Sequence, residues 1–151
     1  MPDDAQLGFP QLADFESESL KQINDLLYGK IAPFPLTQDQ RRMLIALRFH
    51  CGRERAVKLA ELCEQLKLEE RKVKDLMRSL VVDFKVRIGA SRTKPYGYYL
   101  VTTAEEAKDA AAVYWSEVRE LVKRARVLED RHFVLERLGQ LRTEIEEEKA
   151  S

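Results

Sequence analysis

Several common features are missing from this chain of 151 residues. No apolar run approaches the ~20 residues that a membrane-spanning helix needs. The start, Met1-Pro2-Asp3-Asp4, is acidic and lacks the basic stretch that opens a signal peptide. Cysteine occurs twice, at Cys51 and Cys63, each within or at the end of a helical pattern, which suits small packed side chains in a reducing compartment better than a disulfide. His50, Cys51, Cys63 and His132 match no C-x-x-C or H-x-x-x-H spacing, so no metal site is expected. There is no glycine-rich phosphate loop, no G-x-S-x-G and no H-E-x-x-H, and the carboxylates fall on helix surfaces with basic neighbours. The expectation is a cytoplasmic protein that is not an enzyme and carries no cofactor.

Net charge is also absent, since 26 basic side chains balance 26 acidic ones. The balance is not local. Residues 1–28 carry six acids and one base, residues 29–66 seven bases and four acids, residues 67–94 nine bases and four acids, and residues 95–151 nine bases and twelve acids. The positive maximum therefore falls on 67–94, where a surface for a polyanion is expected.

What is present is helical periodicity. Leu20, Ile23, Leu26 and Leu27 mark an amphipathic helix from Glu16 to Tyr28, stopped by Gly29. Residues 1–15 read as loosely ordered, and Pro33 and Pro35 make Lys30 to Leu36 an extended linker. Thr37 and Gln40 form a capping box for a helix to about His50, with Met43, Leu44, Leu47 and Phe49 or His50 inward. A short strand in Arg53 to Lys58 is expected to pair with a later hairpin.

Leu59, Leu62, Cys63 and Leu66 define one face of a short helix, and Val73, Leu76, Met77 and Leu80 one face of a second, running from Glu69 to about Val82. Only Lys67 and Leu68 separate them. Val86 to Ala90 and Tyr96 to Val101 are strand-like and Ser91 to Pro95 is the turn between them. A tight helix pair followed by a basic hairpin is the pattern of a winged helix-turn-helix, which places its second helix in the DNA major groove.

Thr103 and Glu106 make a second capping box. Beyond it Ala107, Ala111, Tyr114, Val118, Leu121, Ala125, Leu128, His132 and Leu135 alternate steps of four and three, a heptad seam. Gly139 is expected to break its register and the acidic tail from Glu144 to fray. A continuous helix from Ala104 to Leu138 would span about 50 Å. Two arrangements are open: a homodimer through Tyr114, Val118, Leu121, Leu128 and Leu135, or a helix folded back along the domain and covered by the N-terminal helix.

Residues 37–130 resemble the small winged-helix proteins common in bacteriophages and prophages. The resemblance is carried by Leu59-Ala60-Glu61-Leu62-Cys63-Glu64-Gln65-Leu66, Glu70-Arg71-Lys72-Val73, Arg87-Ile88-Gly89-Ala90-Ser91 and Gly97-Tyr98-Tyr99-Leu100-Val101-Thr102-Thr103. It implies DNA binding in transcriptional control or replication. Against that pattern, Lys67 stands where glycine is usual at a position of positive φ, Glu69 stands where a capping serine is usual, and Cys63 takes the place of a small alanine.

On the second helix the face opposite Val73, Leu76 and Leu80 carries Arg71, Lys74, Asp75 and Arg78, with Lys72 at its edge. These bases suit guanine edges and flanking phosphates; the alternative is an i,i+4 surface pair of Arg71 with Asp75. In the hairpin, Arg92 and Lys94 lie at the tip and Arg87 on the strand, suited to phosphate or the minor groove. Tyr96, Tyr98 and Tyr99 could stack on single-stranded bases, but hairpin packing accounts for them better.

The sequence thus predicts a mainly α fold with a small β-hairpin wing. An acidic N-terminal helix and linker (1–36) precedes a winged helix-turn-helix domain (37–102), and a long C-terminal helix (103–151) follows. The expected partner is double-stranded DNA, bound by a homodimer; a protein-interaction module and a replication-associated DNA binder are the alternatives. No membrane contact is expected.

Overall fold

A computed structural model describes residues 12–29 and 35–150. The expectations for residues 1–11, and for the part of the linker at 30–34, lie outside the described residues. Six α-helices and one two-stranded antiparallel sheet are described. The chain divides into two compact units, residues 1–111 and 112–151. Among the described residues no helix is long and apolar enough to cross a membrane.

In the first unit, α1 (Leu12–Leu27) begins before the Glu16 that its periodicity suggested and ends at Gly29, whose φ is 72°. Helix α2 (Gln38–Leu47) opens with the expected capping box: the Thr37 hydroxyl accepts from the Gln40 N–H at 3.2 Å, and the Gln40 side chain accepts from the Thr37 N–H at 2.9 Å. It stops at Leu47, before His50, and Phe49 is 73% exposed rather than inward. A 3-10 turn at Arg53–Arg55 follows, and the strand expected over Arg53 to Lys58 is reduced to a single bridge.

Helices α3 (Leu59–Leu66) and α4 (Glu70–Val82) are joined by Lys67, Leu68 and Glu69. Lys67 adopts φ 55°, ψ 44°, and its N–H reaches back to the carbonyls of Cys63 and Glu64. That left-handed cap turns the chain sharply enough for α4 to start within three residues. Arg42 of α2 donates to the Leu66 carbonyl at 2.7 Å, satisfying another group at the same helix end. Glu69 precedes α4 without a side-chain cap.

Strands β1 (Ile88–Ser91) and β2 (Gly97–Leu100) pair antiparallel, Ile88 with Leu100 and Ser91 with Gly97. Val57 and Tyr98 exchange N–H···O bonds of 2.8 Å in both directions, adding one residue as a third edge. Gly97 (φ 132°) permits this crossing, for a Cβ there would lie 2.1 Å from the Val57 carbonyl oxygen.

One core unites these elements: Ile23, Leu26 and Leu27 of α1, Met43, Leu44 and Leu47 of α2, Leu62 and Leu66 of α3, and Val73, Leu76, Met77 and Leu80 of α4, closed by Phe84, Val86, Ile88 and Leu100. The apolar spacings of the sequence are thus the buried faces. Tyr99 and Val101 form a smaller cluster with Ala56 and Ala107. Tyr99 is buried, Tyr98 half-buried, and Tyr96 50% exposed, so two of the three tyrosines pack as hairpin side chains. Cys51 and Cys63 are half-buried and unlinked.

Helix α5 (Ala104–Leu128) starts with the Thr103 hydroxyl accepting from the Glu106 N–H at 3.0 Å. The second half of the expected box does not close. The Glu106 carboxylate instead accepts from the Thr102 N–H and hydroxyl, both at 2.9 Å, and from the Arg53 N–H at 2.7 Å.

In the second unit the continuous helix expected from Ala104 to Leu138 is broken. α5 ends at Leu128, and α6 (Arg131–Ala150) begins after Glu129 and Asp130. The Asp130 carbonyl accepts the Val134 N–H at 3.1 Å as the first bond of the new helix. Arg137 clamps Glu129 with two bonds of 2.8 and 2.9 Å, tying α6 to the end of α5. The two helices fold back on each other as a hairpin, with Val118, Leu121, Val122 and Ala125 of α5 and Val134, Leu138 and Leu141 of α6 lining one groove, and Val134 is buried. Gly139 lies inside α6, and the residues of this helix that line the groove with α5 include Val134, Leu138 and Leu141, offset from Leu135.

Candidate nucleic-acid interface

Four bases share the exposed face of α4. Val73, Leu76 and Leu80 point into the core, which forces Arg71, Asp75 and Arg78 outward on the opposite side, with Lys72 and Lys74 flanking them. No ion pair joins Arg71 to Asp75. The pair on this face is Lys74 with Glu70, 2.8 Å apart, and that hydrogen bond raises the Lys74 ammonium pKa above its ordinary value. An anion binding here would meet Arg71, Lys72 and Arg78 directly and would compete with Glu70 for Lys74.

The hairpin supplies a second set. Arg92 and Lys94 are exposed at the tip between β1 and β2. Arg53, which the sequence did not single out, fixes this tip: its guanidinium donates to Ser91 Oγ at 3.3 Å and also to Thr93 Oγ1, while Ser91 Oγ donates to the Thr93 carbonyl at 2.7 Å. The only signal for Arg53 was its place in a polar, basic loop, Arg53-Glu54-Arg55, whose partners lie far along the chain. A shallow cavity of about 270 Å³ separates Lys58 and Leu59 at the start of α3 from Ser91, Tyr96 and Tyr98.

Arg87 stands apart from both sets. It precedes β1 rather than lying in it, and since Ile88 is buried, Arg87 faces outward. There it meets Glu18 of α1 at 3.5 Å. The contact belongs to a broader dock of α1 on this side: Gln22 donates to the Lys85 carbonyl at 2.8 Å and Ser19 to the Val101 carbonyl at 2.8 Å.

Burial acts on two titrating groups beneath the hairpin. It raises the Tyr99 phenol pKa. For Glu106 burial pushes the same way, but the N–H groups of Arg53 and Thr102 and the Thr102 hydroxyl outweigh it and hold the carboxyl below its ordinary value.

Every residue of the expected dimer seam is exposed: Val118 and Leu121, which line a groove between α5 and α6, are 37% and 59% exposed, and Tyr114, Leu128 and Leu135 are 59%, 86% and 56% exposed. No group of three or more metal-ligating side chains occurs among the described residues. Comparison with protein-family models, curated proteins and solved structures finds no match for this chain.

Proposed function

We propose that this chain binds duplex DNA as a winged helix-turn-helix, with α3 and α4 as the helix pair, α4 entering the major groove and the β1–β2 hairpin as the wing. The observation that carries this reading is the exposed face of α4, where Arg71, Lys72, Lys74 and Arg78 stand opposite the buried Val73, Leu76 and Leu80. Arg71 and Arg78 suit bidentate contacts to guanine, and Lys72 and Lys74 suit phosphates. Arg92 and Lys94 at the tip add backbone or minor-groove contacts, while Arg87, held by Glu18, has a lesser part. The role is that of a phage-type transcriptional regulator in the cytoplasm, binding rather than catalytic, and acting as a homodimer on two half-sites.

One observation favours a second reading, a protein-interaction module. Ile45 and Phe49, four residues apart on α2 and its following turn, are 45% and 73% exposed. Fluorescence anisotropy with a random duplex of about 30 base pairs, at two salt concentrations, separates the two. Binding that weakens steeply with salt supports DNA; no binding at low salt favours the protein partner.

A further inference from the structure

The α5–α6 hairpin leaves most of its apolar surface in water. Eleven of the sixteen large exposed hydrophobics among the described residues lie between Tyr114 and Ile145, and Val134 is the one buried residue of this unit among them. Isolated helices gain little stability without packing of an apolar face. Yet the face is organised: Val118, Leu121 and Val122 of α5 and Val134, Leu138 and Leu141 of α6 line an open groove of about 340 Å³. A monomer offers this groove nothing from its own two helices.

We propose that a second copy of this hairpin fills the groove, packed antiparallel to the first as a four-helix bundle. The inference deepens the homodimer element of the proposed function and rests on it. Size and charge both point to this occupant. Two helices about 30 Å long and about 10 Å apart present roughly 600 Å², close to the ~800 Å² per partner of a standard interface. The hairpin also carries opposite charge at its two ends. Residues 119–137, around the turn, hold six bases and four acids, whereas residues 138–149, towards the open end, hold two bases and four acids. At 100° per residue Arg124 and Arg126 flank the apolar stripe of α5; Glu144 and Glu148 lie beside that of α6, where the base Arg142 is paired with Glu146 of its own helix at 3.1 Å. Antiparallel packing sets the arginines of one copy against the glutamates of its mate, twice by symmetry. Parallel packing would set like charges together.

The test is the mass of the full chain in solution by light scattering, across concentration and at low and high salt. We expect twice the 17.5 kDa chain mass, with a Kd that weakens as salt rises. Arg124→Glu with Arg126→Glu is expected to weaken the dimer about tenfold or more at low salt. Adding Glu144→Lys and Glu148→Lys to that chain restores it. A mass of one chain at every concentration overturns the proposal. So does a dimer that survives Leu121→Glu with Leu138→Glu, and so does one that the arginine reversal leaves unchanged or tightens. Duplex titration of the same samples keeps the two ideas apart: a dimer that obeys the charge swap but does not bind DNA refutes the DNA reading alone.

Discussion

The Glu106 carboxylate accepts a 2.7 Å hydrogen bond from the main-chain N–H of Arg53, across 53 residues of sequence. The side chain of that same arginine holds the hairpin tip through Ser91 and Thr93. One carboxylate thereby ties the start of α5 to the loop that positions the tip.

Replacing Glu106 with Gln should therefore destabilise the fold by about 1–2 kcal/mol at neutral pH, a modest figure because the group is partly exposed. The folded-state pKa of Glu106 is lowered, so its contribution is present above the ordinary value of 4.5 and is lost as pH falls through the folded value. Urea unfolding at neutral and acid pH checks this: the gap between the native chain and Glu106→Gln should narrow in acid.

Gly97→Ala should cost about 2 kcal/mol or more. The added methyl meets the Val57 carbonyl at 2.1 Å and the residue must also hold φ 132°. Thermal unfolding would show the loss, and hydrogen exchange at Val57 and Tyr98 would show whether their bridge opens first.

Lys67→Gly is expected to act in the opposite direction, raising stability by about 0.5–1 kcal/mol. The lysine sits at φ 55°, where only glycine is free of Cβ strain. An unchanged or lower denaturation midpoint would mean that the Lys67 side chain makes a compensating contribution.

The tip bases and Arg87 should separate in DNA titrations. Arg92→Ala with Lys94→Ala should flatten the salt slope by about 2, one for each phosphate that is no longer neutralised. Arg87→Ala removes a single base that lies outside β1 and beside Glu18, and should change it by no more than about 1. Equal slopes for the two variants would remove the tip from the interface.

Most of the first unit was legible because its signals are local. Thr37 with Gln40, the buried spacing of Leu62, Leu66, Val73, Leu76 and Leu80, and the β-branched and aromatic hairpin all encode their structure within a few residues. The exposed bases of α4 follow from the same periodicity. What the sequence concealed depends on distant partners. Glu106 looks like a capping residue for Thr103 until Arg53 and Thr102 compete for its carboxylate. The contact of Arg87 with Glu18 needs α1, 69 residues away, to be docked beside it. In the second unit the heptad spacing runs unbroken past the true helix end, and the break at Glu129 and Asp130 is accompanied by the Arg137–Glu129 bonds and the burial of Val134, neither of which the spacing encodes. Asp130, a favoured residue just ahead of a helix, was the local signal. Gly139 leaves α6 continuous, since glycine inside an exposed helix costs only about 1 kcal/mol.

The bonds from Arg53 to Ser91 and Thr93 have a consequence for association. A hairpin tip left loose would surrender its conformational freedom on meeting a partner, and that ordering would weaken the complex. Here the ordering occurs during folding. The tip reaches any surface it touches already in shape, so changes at Arg53 should register in the affinity of residues that Arg53 itself never accompanies to the partner.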